Sequence, residues 1–503
     1  MKKTTKQNST KLAALATLTA LAFVPHSQAA STSDAIINKL EQKGVLTSDE
    51  ANELRAESAT ADTNLVNELP AAKWKLSDSI KSIGLFGDIR LRYEYRGVNN
   101  PPGSGVAGDT YYRERFRYAL RVGMRGDLTD NFNYGLRLET SANPRSPWVT
   151  FADDSGKSSS SPQSGTPSDK TSDGVNVGQI YLGWHPNDWF EMTAGRMPMP
   201  LYTTPMVWDS DINPEGAFEK FKYSVGNFDL FAGFGQFDYQ DPSSASAFPS
   251  SDTFLLAWQA GGTVKFSKDI FFKIAPVLYD YTGTGSSASF NSLTSPFVGQ
   301  GSASGLNNTY NQDGIDDLLV LEIPLEFDFK IYNTPLGTLQ ARFFGDAGYN
   351  FYGDDRARKA YQTGGPAAFP GRSSAATGQD KAYQVGFGIG SDGPVYGPIQ
   401  GLVYGSTSKK NTWEARFYWQ HIEQYALDAN LIDSDFFEGR GNLEGFYSAF
   451  AYGFTDCIIG TVRYGYATPI EGNLGTGGSN LDLPAINPIR NYNLVQLDLT
   501  WRF

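Results

Sequence analysis

Apolar and polar residues alternate strictly along the last stretch of the chain, residues 492–503. One set of alternate positions reads Val495, Leu497, Leu499, Trp501 and Phe503. The positions between them are polar from residue 496 onward. Because successive side chains of a β-strand point to opposite faces, this period of two predicts a strand with one apolar and one polar face.

The same alternation recurs along most of the chain and predicts about sixteen strands. They fall near residues 85–95, 113–125, 131–140, 176–184, 189–197, 217–224, 228–236, 253–266, 270–281, 318–330, 338–349, 381–390, 412–422, 443–454, 457–467 and 492–503. No run of about twenty apolar residues occurs outside the N-terminal segment, so the sequence predicts no membrane-spanning helix.

The predicted connections alternate between short turns and long loops rich in Gly, Ser, Asn and Pro. The long ones cover residues 97–112, 141–175, 282–316, 350–380, 424–441 and 468–490. Residues 391–411 are the exception on the short side and are interpreted as a folded excursion. This pattern is typical of a transmembrane antiparallel β-barrel, whose strands satisfy every backbone group within the sheet. A water-soluble β-sandwich is the alternative, but it gives no reason for arginines filling one face of a strand.

The chain begins with features of a secretory signal, which we predict for residues 1–30. Four lysines precede an apolar stretch from Leu12 to Val24, and Ser27-Gln28-Ala29 resembles a cleavage site. Residues 33–57 have the pattern of two short amphipathic helices, and we expect a periplasmic helical segment and tether over residues 31–80. The alternative for this segment is a partly ordered linker. The barrel is expected to occupy residues 81–503.

Charge and cysteine content narrow the function classes. The chain has 42 basic and 54 acidic residues, a balance that argues against nucleic-acid binding. Its single cysteine, Cys457, excludes an internal disulfide. The GxGxxG match at 388–393 is followed by Pro394 and not by a helical pattern, so we predict no nucleotide site. No cofactor is expected.

The strongest chemical feature is a row of arginines on the first predicted strands. Their parity places them opposite the aliphatic residues, hence inside the barrel, where water removes most of the roughly 2–4 kcal/mol that an arginine costs on the lipid face. The predicted pore-lining residues are Arg90, Arg92, Arg113, Arg115, Arg117, Arg121, Arg125 and Arg137. They either set ion selectivity or pair with carboxylates and brace the wall.

Opposing charge is available in residues 195–216, a proline-rich segment with too many apolar residues for a loop in water. We predict that it folds into the barrel and that Asp209, Asp211 and Glu215 narrow the pore. Asp209, Asp211 and Asn213 also have the first spacings of a calcium loop. The match fails afterwards, because Pro214 stands where glycine is needed, so these residues are only weak metal candidates.

Three stretches resemble the putative porins of Gram-negative outer membranes. They read NKLEQKGVLTSDEANELRAE, GRMPMPLYTTPMVWDSDINPEGA and ALDANLIDSDFFEGRGNLEGFYSAFAYGF. The terminal aromatic residue, Phe503, likewise resembles the assembly signal of outer-membrane barrels. The resemblance implies a channel of roughly sixteen strands in the outer membrane that functions as a trimer in contact with lipid.

The function predicted from these observations is passive diffusion of small hydrophilic solutes and ions, without catalysis. Two alternatives remain open at this stage. One is a closed barrel that serves as an adhesin or structural anchor. The other is an outer-membrane lipid hydrolase, which would need His421 beside a serine on one rim. Residues 33–57 are expected to contact a further copy or another component of the envelope.

Overall fold

The computed structural model describes residues 77–99, 110–141, 146–151, 174–240, 253–282, 318–368, 373–391, 409–472, 474–477 and 489–503. The chain divides into two units, residues 1–80 and 81–503, and the second unit is the β-barrel. The predicted signal segment, the predicted helices at 33–57 and most of the 391–411 connection lie outside the described residues.

Nineteen strand segments form one antiparallel sheet in chain order. They are β1 Gly84–Asn99, β2 Thr110–Asp127, β3 Phe132–Thr140, β4 Val149–Thr150, β5 Val175–Asn187, β6 Phe190–Arg196, β7 Glu215–Val225, β8 Phe228–Gln240, β9 Thr253–Ser267, β10 Ile270–Ile274, β11 Val277–Tyr281, β12 Leu319–Glu322, β13 Leu325–Thr334, β14 Gly337–Asn350, β15 Lys381–Ser391, β16 Trp413–Ile422, β17 Leu443–Gly453, β18 Ile458–Pro469 and β19 Asn491–Arg502.

Three strands of the barrel wall consist of two segments each, so the barrel has sixteen strands, as the sequence predicted. β3 and β4 pair with successive parts of β2. β10 and β11 both pair with β9, and β12 and β13 both pair with β14. The last two breaks fall at Pro276 and Pro324, and proline has no backbone N–H to donate to the ladder.

The sheet closes on itself through the first and last strands. Ile89 pairs with Trp501 and Tyr95 with Val495 in an antiparallel ladder. At the end of that ladder the Gly87 amide donates to the Phe503 carbonyl at 3.0 Å, and the Phe503 amide donates to the Gly87 carbonyl at 3.1 Å. Closure leaves no unpaired edge, which is the condition for a β-structure in lipid.

Burial alternates along the strands with the predicted period of two. In β1, Arg90, Arg92 and Glu94 are buried, whereas the aliphatic and aromatic residues between them are partly exposed. The most exposed large apolar side chains include Leu85 at 75% and Val385 at 58%. The polar face is therefore the interior of the barrel, and the apolar face points outward, as a lipid-embedded barrel requires.

The two ends of the barrel differ in their connections. Tight turns at residues 128–131, 188–189, 226–227, 268–269, 335–336 and 454–457 lie at one end, and most long connections lie at the other. The long connection between β15 and β16 is the exception, because it ends beside the 454–457 turn, where the Asn411 amide donates to the Gly453 carbonyl. Gly226, with φ of 58°, occupies one of these turns in the left-handed region that favours glycine. Among the residues that the structure describes, no helix combines the length and apolarity needed to cross a bilayer.

One long connection contains a helix that the sequence reading interpreted as loop. Helix α1, Gly353–Ala368, follows β14. Asp354 and Asp355 lie in its first turn, where carboxylates oppose the positive end of the helix dipole, and Asp355 pairs with Arg358 at 2.6 Å. Ala357 and Ala360 are buried in a small apolar cluster with residues 376, 425 and 474, so tertiary packing holds the helix.

Candidate functional site

Most of the predicted arginine row lies buried or half-buried in the barrel interior. The buried members are Arg90, Arg92, Arg115 and Arg121. Arg113, Arg117 and Arg137 are half-buried on the same inward face, and Arg125 is exposed near the short-turn end. The pattern of the sequence does not specify the partners of these arginines.

Glu94 is the centre of the arginine cluster. Its carboxylate lies 3.1 Å from Arg96 Nε, 3.7 Å from Arg92 Nη1 and 3.6 Å from Arg117 Nη1, and it also pairs with Arg115. It accepts a further hydrogen bond from Gln496 Nε2 at 2.8 Å. Glu94 is completely buried. One carboxylate thus compensates part of the charge of four guanidinium groups.

Further carboxylates neutralise the same cluster from the other side. Arg92 Nε donates to Asp498 Oδ1 at 2.8 Å, and Arg92 Nη1 donates to Asp435 Oδ1 at 2.8 Å. Arg463 also pairs with Asp498. Asp498 comes from β19, whereas Asp435 comes from a loop between β16 and β17. The guanidinium of Arg92 stacks on the Trp148 ring at 3.9 Å.

Three further predicted arginines also pair with nearby carboxylates. Arg121 pairs with Asp211, and Arg137 Nη2 lies 2.9 Å from Glu139. Arg90 Nε lies 2.6 Å from Asp88 Oδ1. Most of this wall is an array of ion pairs, which supports bracing as one role of the arginines.

Residues 197–214, between β6 and β7, fold into the barrel, and we call them inner loop 1. Gln259 in the opposite wall bonds to both the amide and the carbonyl of Tyr202, at 2.9 and 2.7 Å. Glu322 accepts hydrogen bonds from Thr203 Oγ1 at 2.7 Å and the Thr204 amide at 3.2 Å. Thr204 also donates to Asp346. Polar groups of the wall therefore hold the loop in place.

A second segment, residues 423–442, also enters the interior, and we call it inner loop 2. Asp209 of inner loop 1 accepts hydrogen bonds from the Ser434 amide at 3.2 Å and Ser434 Oγ at 3.0 Å. The Asp433 amide donates to the Pro205 carbonyl at 3.0 Å. Phe436 and Phe437 are fully buried beside it. The two inner loops thus form one unit.

Burial and mutual repulsion perturb the carboxylates where the two inner loops meet. Burial, followed by the charges of Asp435 and Asp211, raises the pKa of Asp433 to about 7. Burial and the charges of Asp433 and Asp211 likewise raise the pKa of Asp209. Arg92 and Arg96 outweigh burial at Asp435 and lower its pKa. The contact therefore combines protonatable and permanently ionised carboxylates.

The predicted loop carboxylates do not converge on one point. Asp209 faces Ser434, Asp211 faces Arg121, and Asn213 accepts a hydrogen bond from Gln179 at 2.8 Å. Glu215 lies outside the loop, as the first residue of β7, where it pairs with Arg196 at 3.0 Å. No group of three His, Cys, Asp or Glu side chains suited to a metal ion occurs in the described part of the chain.

Sequence reasoning missed two parts of this interior. Inner loop 2 carried the same signal as inner loop 1, a loop rich in apolar residues such as Leu427, Ile432 and Phe436. The other is a group of inward lysines on the far wall, Lys220, Lys222 and Lys273. Lys273 Nζ lies 3.5 Å from the centre of the Tyr202 ring in inner loop 1.

Comparisons with solved structures find porins of low similarity. An anion-selective porin from Comamonas acidovorans is 10% identical, with a TM-score of 0.38, covering 84% of this chain and 99% of its own. OpdQ from Pseudomonas aeruginosa is 10% identical, with a TM-score of 0.36, covering 85% of this chain and 99% of its own. At scores this low, neither function nor selectivity carries over to this chain. A search of curated proteins finds no match.

The family comparison is more informative. Residues 98–327 match a family described as putative porin. The matched region contains the arginine-rich strand β2, inner loop 1 and much of the wall that anchors it. Over residues 98–327, slightly less than half of its length, the closed sixteen-stranded barrel is therefore similar to the putative porin family.

Proposed function

We propose that the barrel is a porin through which small hydrophilic solutes and ions cross the outer membrane of a Gram-negative bacterium by passive diffusion. One observation carries this proposal: two loops fold into a polar, charged interior while the outward face is apolar. An interior of this kind favours water and charged solutes, and a loop across it sets the width and charge of the passage.

The proposal extends to the parts of the chain outside the barrel. Residues 1–30 direct export, and residues 31–80 form a periplasmic segment whose residues 33–57 contact a further copy or another envelope component. The long loops would face the exterior and the tight turns the periplasm. Lipid surrounds the apolar face, and the barrel assembles as a homo-oligomer, with a trimer favoured by the resemblance noted above.

We further infer that the lysine group, rather than the paired arginines, biases the passage towards anions. Lys220 lies 3.8 Å from Glu191, and Lys222 pairs with the same carboxylate. Lys273 has no carboxylate within ion-pair distance among the described residues, and its ammonium faces Tyr202 and, at 6.0 Å, Phe231. Among the described residues, Glu191 is the carboxylate within ion-pair distance of this lysine group. Glu326 lies across the ladder from Lys273 but pairs with Arg342 at 3.2 Å, so the lysines add positive charge to this part of the lumen.

The test of channel function is the conductance of the purified protein in a planar bilayer under a salt gradient. Stepwise openings are expected, with a reversal potential that indicates anion preference. A correctly folded barrel, shown by heat-modifiable gel mobility, that gives no openings would contradict the proposal and favour a closed structural barrel.

Replacing Lys273 with methionine tests the selectivity. Methionine is about as long as lysine but carries no charge, so K273M removes one positive charge from the lumen and changes its shape little. The reversal potential should therefore move towards cation preference, while the stepwise openings persist. Lys268→Met is the matched control, since Lys268 lies in the turn between β9 and β10 with its side chain 89% exposed. Equal shifts for K273M and K268M would refute a role for the lumenal lysine.

The hydrolase alternative receives little support at His421. Its ring nitrogens face Glu444 at 2.9 Å and Glu423 at 3.6 Å, and the ring stacks on Tyr383. None of these described partners is a serine that could act as nucleophile. Loss of lipid hydrolysis in the variant His421→Ala would be the result that revived this alternative.

A further inference from the structure

Four polar side chains lie on the outward face of the barrel, on strands β6 to β8. Arg196 pairs across the sheet with Ile180, which is 57% exposed, and Glu215 pairs with Arg196. Paired residues share a face, so both point outward. Glu219 lies two residues from Phe221 on β7, and residues two apart on a strand share a face. Because Phe221 is outward and 45% exposed, Glu219 also points outward. We call Arg196, Glu215, Glu219 and Gln236 the outward polar patch.

Glu219 of the outward polar patch lies at the depth of the hydrocarbon band, whereas Glu215 and its partner Arg196 lie near the band's far edge. Glu219 is six residues from Val225, where β7 reaches the tight-turn end of the barrel. With a rise of about 3.3 Å per residue and a tilt of about 45°, six residues span a height of about 14 Å. This is near the middle of an apolar band about 25 Å tall.

The side chains of the patch only partly satisfy one another. Arg196 Nη1 lies 3.0 Å from Glu215 Oε1. Gln236 Nε2 donates to the two oxygens of Glu219 at 3.2 and 3.3 Å. No cation of the described residues lies within ion-pair distance of Glu219. In lipid, a carboxylate at this depth with only an amide partner is costly unless it is protonated, whereas donors or a cation from a neighbouring molecule would stabilise its ionised form.

The outward faces of β1, β16, β17 and β19 present apolar and aromatic residues instead. Tyr93 on β1, Leu497 on β19, Phe417 on β16 and Phe450 on β17 all stand on the outward face. These residues suit direct contact with lipid. Ser448 on β17 is also outward and polar but uncharged, whereas the charged side chains Arg196, Glu215 and Glu219 belong to β6 and β7.

An apolar groove adjoins the patch on the same face. It has a volume of about 450 Å³, with Phe221, Phe234 and Trp258 among its walls and Ala232, Ala260 and Pro276 among its smaller lining residues. The groove lies where proline interrupts the strand formed by β10 and β11. Small residues on a membrane-facing surface allow another protein surface to approach closely.

We propose that the outward polar patch and this groove form the contact surface for a second copy of this chain, with the patches meeting around the symmetry axis of the oligomer. The patch contains both a guanidinium and carboxylates, so it complements itself when copies meet. Lipid at this depth offers hydrocarbon, which has no hydrogen-bond donor for an ionised Glu219. The inference rests on the membrane location given under Proposed function.

The test compares the mass of the wild-type protein in detergent with that of the double variant E219L/Q236L, by native mass spectrometry. The wild type is expected to be an oligomer and the variant a monomer. The matched control is Ser448→Leu, an outward polar residue on β17, which should leave the oligomer intact. If the patch faces lipid instead, the oligomer mass will stay unchanged in E219L/Q236L and the unfolding midpoint in urea will rise, because an unmatched carboxylate is removed.

Cross-linking in membranes tests the same surface without removing its polar groups. Ala217 lies on the outward face two residues from Glu219, and Val385 is 58% exposed on β15. With Cys457 replaced by serine, A217C should give a linked dimer with a short bifunctional thiol reagent and V385C should not. An intact oligomer without A217C cross-links would overturn the proposal. Single-channel openings from E219L/Q236L would show that channel function is a separate question.

Discussion

At the scale of single residues, the arginine row shows that the alternation of residues along a strand predicts which face a side chain is on but not which residues it contacts. The sequence placed the arginines on the inward face because aliphatic residues alternate with them. It could not show that Glu94 is shared by Arg96, Arg115 and Arg117, because the face of a strand does not specify neighbours on other strands. It also could not show that Asp498, about four hundred residues away, neutralises Arg92.

Replacing Glu94 with glutamine tests the bracing role. Buried guanidinium groups would lose their common carboxylate, so we expect a destabilisation of about 3–5 kcal/mol, at the lower end if the amide keeps some hydrogen bonds. The urea midpoint of unfolding should fall, and the reversal potential should move towards anions. Glu191→Gln is the control, since its partially exposed pair with Lys222 should contribute at most about 1 kcal/mol. Equal midpoints for both variants would contradict a bracing role.

At the scale of elements, the two inner loops were unequally predictable. Inner loop 1 was predicted because its apolar residues and carboxylates did not suit a loop in water. Inner loop 2 has the same composition, yet its path depends on contacts with Asp209 and Arg92, which lie far away in the sequence. Helix α1 was missed because its buried alanines depend on partners from other loops.

The contact between the inner loops should depend on pH. Asp433 holds its proton up to about pH 7 in the folded protein, whereas an ordinary aspartate in the unfolded chain loses it near pH 4. A raised folded pKa stabilises the contact at low pH and weakens it as pH rises from about 4 through 7. Asp209, Asp211 and Asp435 face the same group, so ionisation adds repulsion.

We therefore expect fluctuations of the open channel current to be greater at pH 8 than at pH 5. The side chain at position 433 cannot ionise in the variant D433N, so the current fluctuations should be small at both pH 5 and pH 8. Asp355→Asn, on the exposed surface of α1, serves as the control. A pH dependence of the same size in D433N and in the wild type would assign the effect to other groups.

At the scale of the whole molecule, strand alternation was enough to predict the barrel, its sixteen strands and most strand limits. Closure depends on one further detail at Gly87. A Cβ atom at this position would lie 2.5 Å from the Arg121 carbonyl oxygen and 2.5 Å from the Phe503 ring. Only glycine fits between the terminal residue and β2.

The variant Gly87→Val should therefore impair closure of the barrel. The Arg121 carbonyl oxygen belongs to the backbone of β2 and cannot shift without distorting that strand. We therefore expect a smaller folded fraction after refolding and a lower midpoint temperature of the heat-induced change in gel mobility. Gly388→Val on β15 is the control, because its nearest neighbour is 3.7 Å away and the space is open. Unchanged folding of G87V would show that the Phe503 ring can relocate without cost.

The pairing of β1 with β19 has a kinetic consequence. The two strands that complete the cylinder are the first and last to leave the ribosome, so this pairing has the greatest sequence separation in the wall and the slowest expected formation. Arg92 meets Asp498 only when the seam is made, and until then its guanidinium lacks that partner. The ion pairs of the lumen thus stabilise the closed cylinder relative to a half-open intermediate and oppose reopening of the seam.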